Sequence, residues 1–257
     1  MQQNNTIVVT GAASGIGAAT ARLLAQQGAK VIAVDRNQPA EAVGQFIQAD
    51  LSEQASIDRL IAALPAGING LANIAGLPPT RPPEDVLKVN LVGLKYLTTQ
   101  IIPKLAEGAA IVNLASLAGI GWPQALPAIR ASESLDFEGV PAFCAQHGIV
   151  GARSYFFSKE ALIAWTIQNR WTWRERGIRM NCISPGPVDT PILGDFLQTL
   201  GARAEEDSRV MDRPGRPDDI APVAAFLLSP ASGWIRGANI PVDGGMHAHV
   251  LSEMNGL

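Results

Sequence analysis

Thr6-Ile7-Val8-Val9-Thr10-Gly11-Ala12-Ala13-Ser14-Gly15-Ile16-Gly17 is the stretch that decides the fold. Residues 6–10 form a β-branched run, the composition of a strand buried on both faces. Glycines at 11, 15 and 17 follow at once, and residues 18–27 are an Ala/Leu-rich stretch with helical character. Strand, glycine turn and helix in that order are the setting of a dinucleotide fingerprint. Glycine permits the tight turn and the close backbone approach, and the helix N-terminus offers unpaired N–H groups to a pyrophosphate. The spacing is G-x-x-x-G-x-G rather than G-x-G-x-x-G, and an ordinary strand–helix loop is the plainer alternative.

A second strand over 30–34 ends at Asp35, eighteen residues beyond Gly17, about where an acidic side chain meets an adenosine ribose. A carboxylate there accepts hydrogen bonds from the ribose hydroxyls and repels a 2′-phosphate. Arg36 pulls the other way, since a guanidinium neutralises such a phosphate. Asp35 points at the ribose, so NAD is expected over NADP.

Beyond this unit, apolar strand-like runs alternate with helical patterns almost to the end. The strands fall at 6–10, 30–35, 45–49, 69–74, 109–115, 178–184 and 238–242, the helices near 15–27, 53–63, 84–105, 153–176 and 217–228. That alternation predicts an α/β fold, a doubly wound Rossmann-type parallel sheet of about seven strands with helices on both faces. One domain over 1–257 is expected. Residues 121–153 break the rhythm, separating a strand from a helix that a far shorter loop would normally join.

With 47% hydrophobic residues the chain can bury a substantial core. Only 17% of residues are charged, the net charge is −3, and no basic run suggests nucleic acid or an anionic membrane. No apolar stretch approaches the roughly 18 residues of a membrane span. Met1-Gln2-Gln3-Asn4-Asn5 lacks the basic and apolar regions of a secretory signal. A soluble cytoplasmic protein is the expectation, with Cys144 and Cys182 as reduced thiols. His147, His247 and His249 do not cluster with carboxylates, so no metal site is expected.

Tyr155 and Lys159 lie four residues apart on the helix expected over 153–176, one turn apart on one face. A nearby ammonium favours the phenolate and brings the phenol towards the range useful for acid–base work. The pattern alone also fits an amphipathic tyrosine and a solvated lysine. Ser116 at the end of the 109–115 strand and Asn90 have equally plain readings, as a turn serine and a helix-bend amide.

Taken together these residues resemble the single-domain short-chain dehydrogenase/reductase family over nearly the whole chain. The matches are Thr10 to Gly17, Asp35, Asp50-Leu51, Asn73-Ile74-Ala75-Gly76, Asn90, Ser116, Tyr155 with Lys159, Pro185-Gly186-Pro187-Val188-Asp189-Thr190, and Val242-Asp243-Gly244-Gly245. The resemblance implies a nicotinamide dinucleotide lying across the C-terminal strand edges. Gly11, Ser14, Gly15, Ile16 and Gly17 would cradle it, Asp35 and Arg36 would face the ribose, and Asp50 with Leu51 the adenine. Asn73, Ala75 and Gly76 would support the central sheet beside it. Pro185, Gly186, Val188 and Thr190 would meet the nicotinamide end, Val188 and Thr190 through its carboxamide.

It further implies that Tyr155 takes the alcohol's proton while hydride leaves the same carbon. Lys159 would lower the Tyr155 pKa and hold the nicotinamide ribose. Ser116 would bond the substrate oxygen, and Asn90 would anchor a water in a proton relay. Two departures stand out: Ile74 replaces the family's second Asn, and Ser116 and Tyr155 are 39 residues apart, far more than usual. Such an insertion resembles the subgroup of 3α-hydroxysteroid dehydrogenases/carbonyl reductases and coniferyl-alcohol dehydrogenases. Val34-Asp35-Arg36-Asn37, Gly93 to Thr98, Arg179 to Cys182 and Asn239 to Gly245 resemble the latter.

The implied activity is NAD-dependent interconversion of an alcohol and its carbonyl on a hydrophobic cyclic or aryl-allylic substrate. A 3-oxoacyl thioester reductase and a non-catalytic NAD-binding regulator are the alternatives. Residues 121–153, with Trp122, Leu126, Ile129, Leu135, Phe137, Val140 and Phe143, read equally as a substrate lid or as an appendage packed on its neighbour or a second subunit. The subgroup resemblance implies that this insertion obstructs one interface, giving a homodimer rather than a homotetramer. Pocket shape is expected to depend on it and on the 190–210 loop.

Overall fold

The computed structural model describes residues 4–41, 43–201 and 210–257. Met1 to Gln3 of the N-terminus and 202–209 of the 190–210 loop therefore lie outside the described residues. The strands are β1 (Thr6–Thr10), β2 (Lys30–Asp35), β3 (Gln45–Gln48), β4 (Ile68–Asn73), β5 (Leu105–Leu114), β6 (Arg179–Pro185) and β7 (Asn239–Val242). They form one sheet in the order β3-β2-β1-β4-β5-β6-β7, every pair parallel. The order reverses between β1 and β4, and an open α/β sheet leaves its crevice at that point, beyond the C-terminal strand ends.

The described helices are α1 (Gly15–Gln26), α2 (Gln54–Ala63), α3 (Pro83–Leu87), α4 (Leu94–Ile101), α5 (Leu126–Ala131), α6 (Val140–His147), α7 (Arg153–Gln168), α8 (Leu193–Leu200), α9 (Pro217–Leu228) and α10 (Met246–Asn255). Side chains alternate across a strand, so β1 feeds both layers. Ile7 and Val9 join Leu24 of α1 and Ile220 of α9 on one face, and Val8 joins Ile57 of α2 and Leu97 of α4 on the other.

The helix expected over 84–105 is broken. A π-helical segment, Lys88–Gly93, separates α3 from α4, and β5 starts at Leu105 rather than 109. The segment ends at a close backbone approach: a Cβ on Gly93 would lie 2.0 Å from the Leu51 carbonyl oxygen. The helix expected to run to 176 ends at Gln168 in 3₁₀ turns. Within 121–153 the chain forms α5 and α6, which pack on Leu87, Leu91, Phe157 and Ala161. Lys95 Nζ donates to the Ser132 and Glu133 carbonyls just after α5, at 3.1 and 3.0 Å. The insertion thus packs on α3, the π-helical segment and α7, and reaches α4 through Lys95 and Tyr96; α7 is buried nearly all round.

Candidate active site

Thr10, the last residue of β1, fixes the two loops that border the crevice. Its hydroxyl accepts the Ile74 and Ala75 N–H groups at 3.0 and 3.1 Å, drawing the loop after β4 against the glycine turn. Gly11 has φ +70, and a Cβ on it would lie 2.8 Å from the Ala75 backbone; a Cβ on Gly17 would lie 2.0 Å from the Gly11 carbonyl oxygen. Only glycine fits either position. The crevice so formed has a volume of about 400 Å³, within the roughly 300–1,000 Å³ of small-molecule sites. Gly11 and Ser14 to Gly17 line it beside the N-terminus of α1, Ile74 to Pro78 line one wall, and Thr190, Pro191, Ile192 and Asp195 line another.

Asp35, Arg36, Asp50 and Leu51 line the same crevice. Asp35 accepts N–H groups from Ala13 at 3.0 Å and Asn37 at 2.9 Å, so its carboxylate is held beside the glycine turn. Asp50 Oδ1 accepts from the backbone N and hydroxyl of Ser52, at 2.8 and 2.7 Å, which shapes the turn after β3. Glycines that leave no room for a Cβ, a helix N-terminus and a fixed carboxylate fit a dinucleotide.

Beyond Leu114, which also lines the crevice, stand the residues with proton chemistry. Ser116 Oγ accepts the Ala118 N–H at 3.2 Å, which fixes the turn after β5. Lys159 Nζ donates to the Leu114 carbonyl at 2.7 Å and lies 5.4 Å from the centre of the Tyr155 ring. Burial pushes the Tyr155 phenol up to about 12, with the Ser116 hydroxyl pulling it down by less. Burial also draws the Lys159 ammonium down to about 8, opposed by the Cys182 thiol. The direction at Tyr155 is therefore opposite to the lowering expected from Lys159, because burial disfavours a phenolate.

Residues 5–128 match the model described as short chain dehydrogenase, and residues 140–247 match one described as enoyl-(acyl carrier protein) reductase. The coniferyl-alcohol dehydrogenase of Pseudomonas sp. (strain HR199 / DSM 7063) is 46% identical over 95% of this chain and 96% of its own. The chain belongs to the short-chain dehydrogenase family. The 3-alpha-hydroxysteroid dehydrogenase/carbonyl reductase of Comamonas testosteroni is 33% identical to the dehydrogenase over 94% of this chain and 96% of its own. The crystal structure of 3-alpha-hydroxysteroid dehydrogenase from Pseudomonas sp. B-0831 complexed with NADH superposes with a TM-score of 0.83 at 31% identity. It covers 97% of this chain and 99% of that one. The dehydrogenase is an oxidoreductase with a crevice for a nicotinamide cofactor, and no helix among its described residues is long and apolar enough to cross a membrane.

Several residues expected to face the cofactor stand behind those that line the crevice. Asn73 Nδ2 donates to Thr98 Oγ1 and Asn113 Oδ1, at 2.8 and 2.9 Å, tying β4 to α4 and β5. Pro185 ends β6, the Gly186 N–H donates to the Val242 carbonyl at 3.3 Å, and Val188 pairs with Gly215. These three brace the segment that carries Thr190 to the crevice. Asn90, in the π-helical segment, accepts the Leu77 N–H at 2.7 Å and donates to the Leu77 carbonyl at 3.0 Å. Asn90 thus has a structural task, holding the crevice wall. A Cβ on Gly76 would meet Asn90 Oδ1 at 3.4 Å and Lys159 Nζ at 3.8 Å, so these three converge.

Helix α8 supplies residues that sequence reasoning missed. Asp195 lines the crevice and accepts a hydrogen bond from the Thr80 hydroxyl at 2.5 Å. Phe196 packs edge-on against Tyr155, ring centres 4.9 Å apart. The amphipathic pattern of 193–200 was the available signal. No described residue of 121–153 lines the crevice; α5 and α6 pack on Leu87, Leu91, Phe157 and Ala161 instead.

Proposed function

We propose that this dehydrogenase uses NAD to interconvert an alcohol and its carbonyl on a hydrophobic cyclic or aryl-allylic substrate, with Tyr155 as acid and base. The observation that carries the reading is the meeting of Ser116, Tyr155 and Lys159 just beyond Leu114, at the end of a crevice built for a dinucleotide. The nicotinamide, when bound, supplies the hydride acceptor or donor. Tyr155 takes the hydroxyl proton in oxidation and returns it to the carbonyl oxygen in reduction. The Ser116 hydroxyl bonds that oxygen and stabilises its developing charge. Lys159 holds the nicotinamide ribose, and Asn90 anchors a water that passes the proton on to solvent. Thr190 would hold the nicotinamide end, on the segment that Pro185, Gly186 and Val188 brace.

Apolar walls from Leu77, Val89 and Ile192 support a hydrophobic substrate, as does the similarity to a coniferyl-alcohol and a hydroxysteroid dehydrogenase. Asp35 supports NAD over NADP by repelling a 2′-phosphate. The whole chain, 1–257, acts as one domain and assembles as a homodimer, because the insertion packs on α7 and is tied to α4 through Lys95. Similarity to the 3-ketoacyl-(acyl-carrier-protein) reductase from Brucella melitensis complexed with NADH, at 26% identity and a TM-score of 0.74, favours a second reading, reduction of a 3-oxoacyl thioester.

Absorbance of the reduced nicotinamide decides between them. The panel pairs NAD⁺ or NADP⁺ with coniferyl and cinnamyl alcohols, 3α-hydroxysteroids, cyclic and short aliphatic alcohols, and runs 3-oxoacyl thioesters in reverse. Turnover with NAD⁺ on one ring-bearing class supports the reading. Turnover confined to thioesters, or to NADP⁺, overturns it.

A further inference from the structure

We propose that Phe196 is a specificity-determining residue, packing against the ring of a bound alcohol beside Tyr155 and so selecting ring-bearing substrates over aliphatic ones. The inference rests on the reading of Tyr155 as the group that meets the substrate oxygen. Tyr155 has two aromatic neighbours, and both rings stand edge-on to it. Phe156, its neighbour in the chain, is 6.4 Å away, whereas Phe196 approaches to 4.9 Å from a separate element, α8.

Helix α8 reaches the crevice through Asp195. Ile192 and Asp195 line the crevice, and the Asp195 carboxylate is pinned by the Thr80 hydroxyl at 2.5 Å. Phe196 itself stays partly exposed, so it has surface left for another group. A substrate whose oxygen meets the Tyr155 hydroxyl carries its skeleton on the adjoining carbon, within reach of Phe196, Leu77 and Ile192. Leu77 and Ile192 offer apolar contact to any skeleton. Phe196 alone offers an aromatic ring, which prefers another ring edge-on or offset.

Cinnamyl and crotyl alcohols isolate the effect, since both are primary allylic alcohols and differ by phenyl against methyl. In Phe196→Ala the ratio of kcat/KM for cinnamyl over crotyl alcohol should fall about tenfold, about 1.4 kcal/mol, chiefly through the KM for cinnamyl alcohol. Phe196→Tyr should keep the wild-type ratio. A Phe196→Ala ratio within twofold of wild type, or an equal loss on both alcohols, overturns the inference and leaves the proposed function standing. Calorimetric titration of the NAD⁺-loaded proteins with both alcohols separates the two failures. Wild-type preference for cinnamyl alcohol that Phe196→Ala loses, without turnover of either alcohol, sustains the inference and sinks the proposed function. No preference in the wild type overturns the inference.

Discussion

Tyr155 and Lys159 sit one turn apart on α7, and burial moves their proton affinities in opposite directions, to about 12 and about 8. Lys159 falls from an ordinary 10.5, so between about 8 and 10.5 the unfolded chain binds a proton the native state has released. Stability therefore rises with pH across that window. Tyr155 rises from 10.0, so its contribution is intact below 10 and lost as pH climbs towards 12. Melts of the cofactor-free protein should gain stability from pH 8 to 10 and lose it above. Lys159→Met should abolish the gain, which is at most about 3 kcal/mol; an unchanged rise would contradict the assignment. At the far end of the crevice, Asp35→Ala removes the charge that repels a 2′-phosphate. The kcat/KM ratio of NADP⁺ over NAD⁺ should then rise at least about tenfold, and an unmoved ratio would give the choice to Arg36. The spacing of Gly11 to Gly17, Asp35 and Tyr155 with Lys159 was legible because each is set by local geometry. Phe196 was not, since its contact with Tyr155 depends on two elements distant in sequence.

At the scale of elements, periodicity located the seven strands to within a few residues but passed over short helices. Helices α5, α6 and α8 are each eight residues or fewer, and prolines at their starts in α5 and α6 read locally as loop. The need for Gly93 was equally hidden, because it comes from the Leu51 carbonyl across space. Gly93→Ala places a methyl 2.0 Å from that oxygen. It should cost more than about 3 kcal/mol in urea unfolding and weaken NADH binding, since Leu51 lines the crevice. Wild-type values for both would contradict this account of the close approach at Gly93. Lys95→Met frees the carbonyls after α5. It should lower stability by about 1–3 kcal/mol with NADH affinity unchanged, because the insertion lines none of the crevice. A matching loss of NADH affinity would point back to a lid.

Over the whole molecule, the reversal of strand order at β1 and β4 brings residues from 11 to 195 to one sheet edge. The alternation of strands and helices made that architecture readable, since a parallel sheet buried on both faces has few other solutions. Subunit assembly had no comparable local signal. With the insertion packed on α7 and tied to α4 through Lys95, light scattering should give twice the 27.1 kDa of one chain, and four times that mass would contradict it. The proposed chemistry stands on Tyr155 moving the proton. The most direct measurement is NAD⁺ reduction with a ring-bearing alcohol by wild type and Tyr155→Phe, with NADH affinity measured by fluorescence. The variant should lose at least about 10²-fold in kcat with NADH affinity within a few-fold of wild type. Substantial turnover by Tyr155→Phe with NADH binding intact would place the acid–base chemistry on another group.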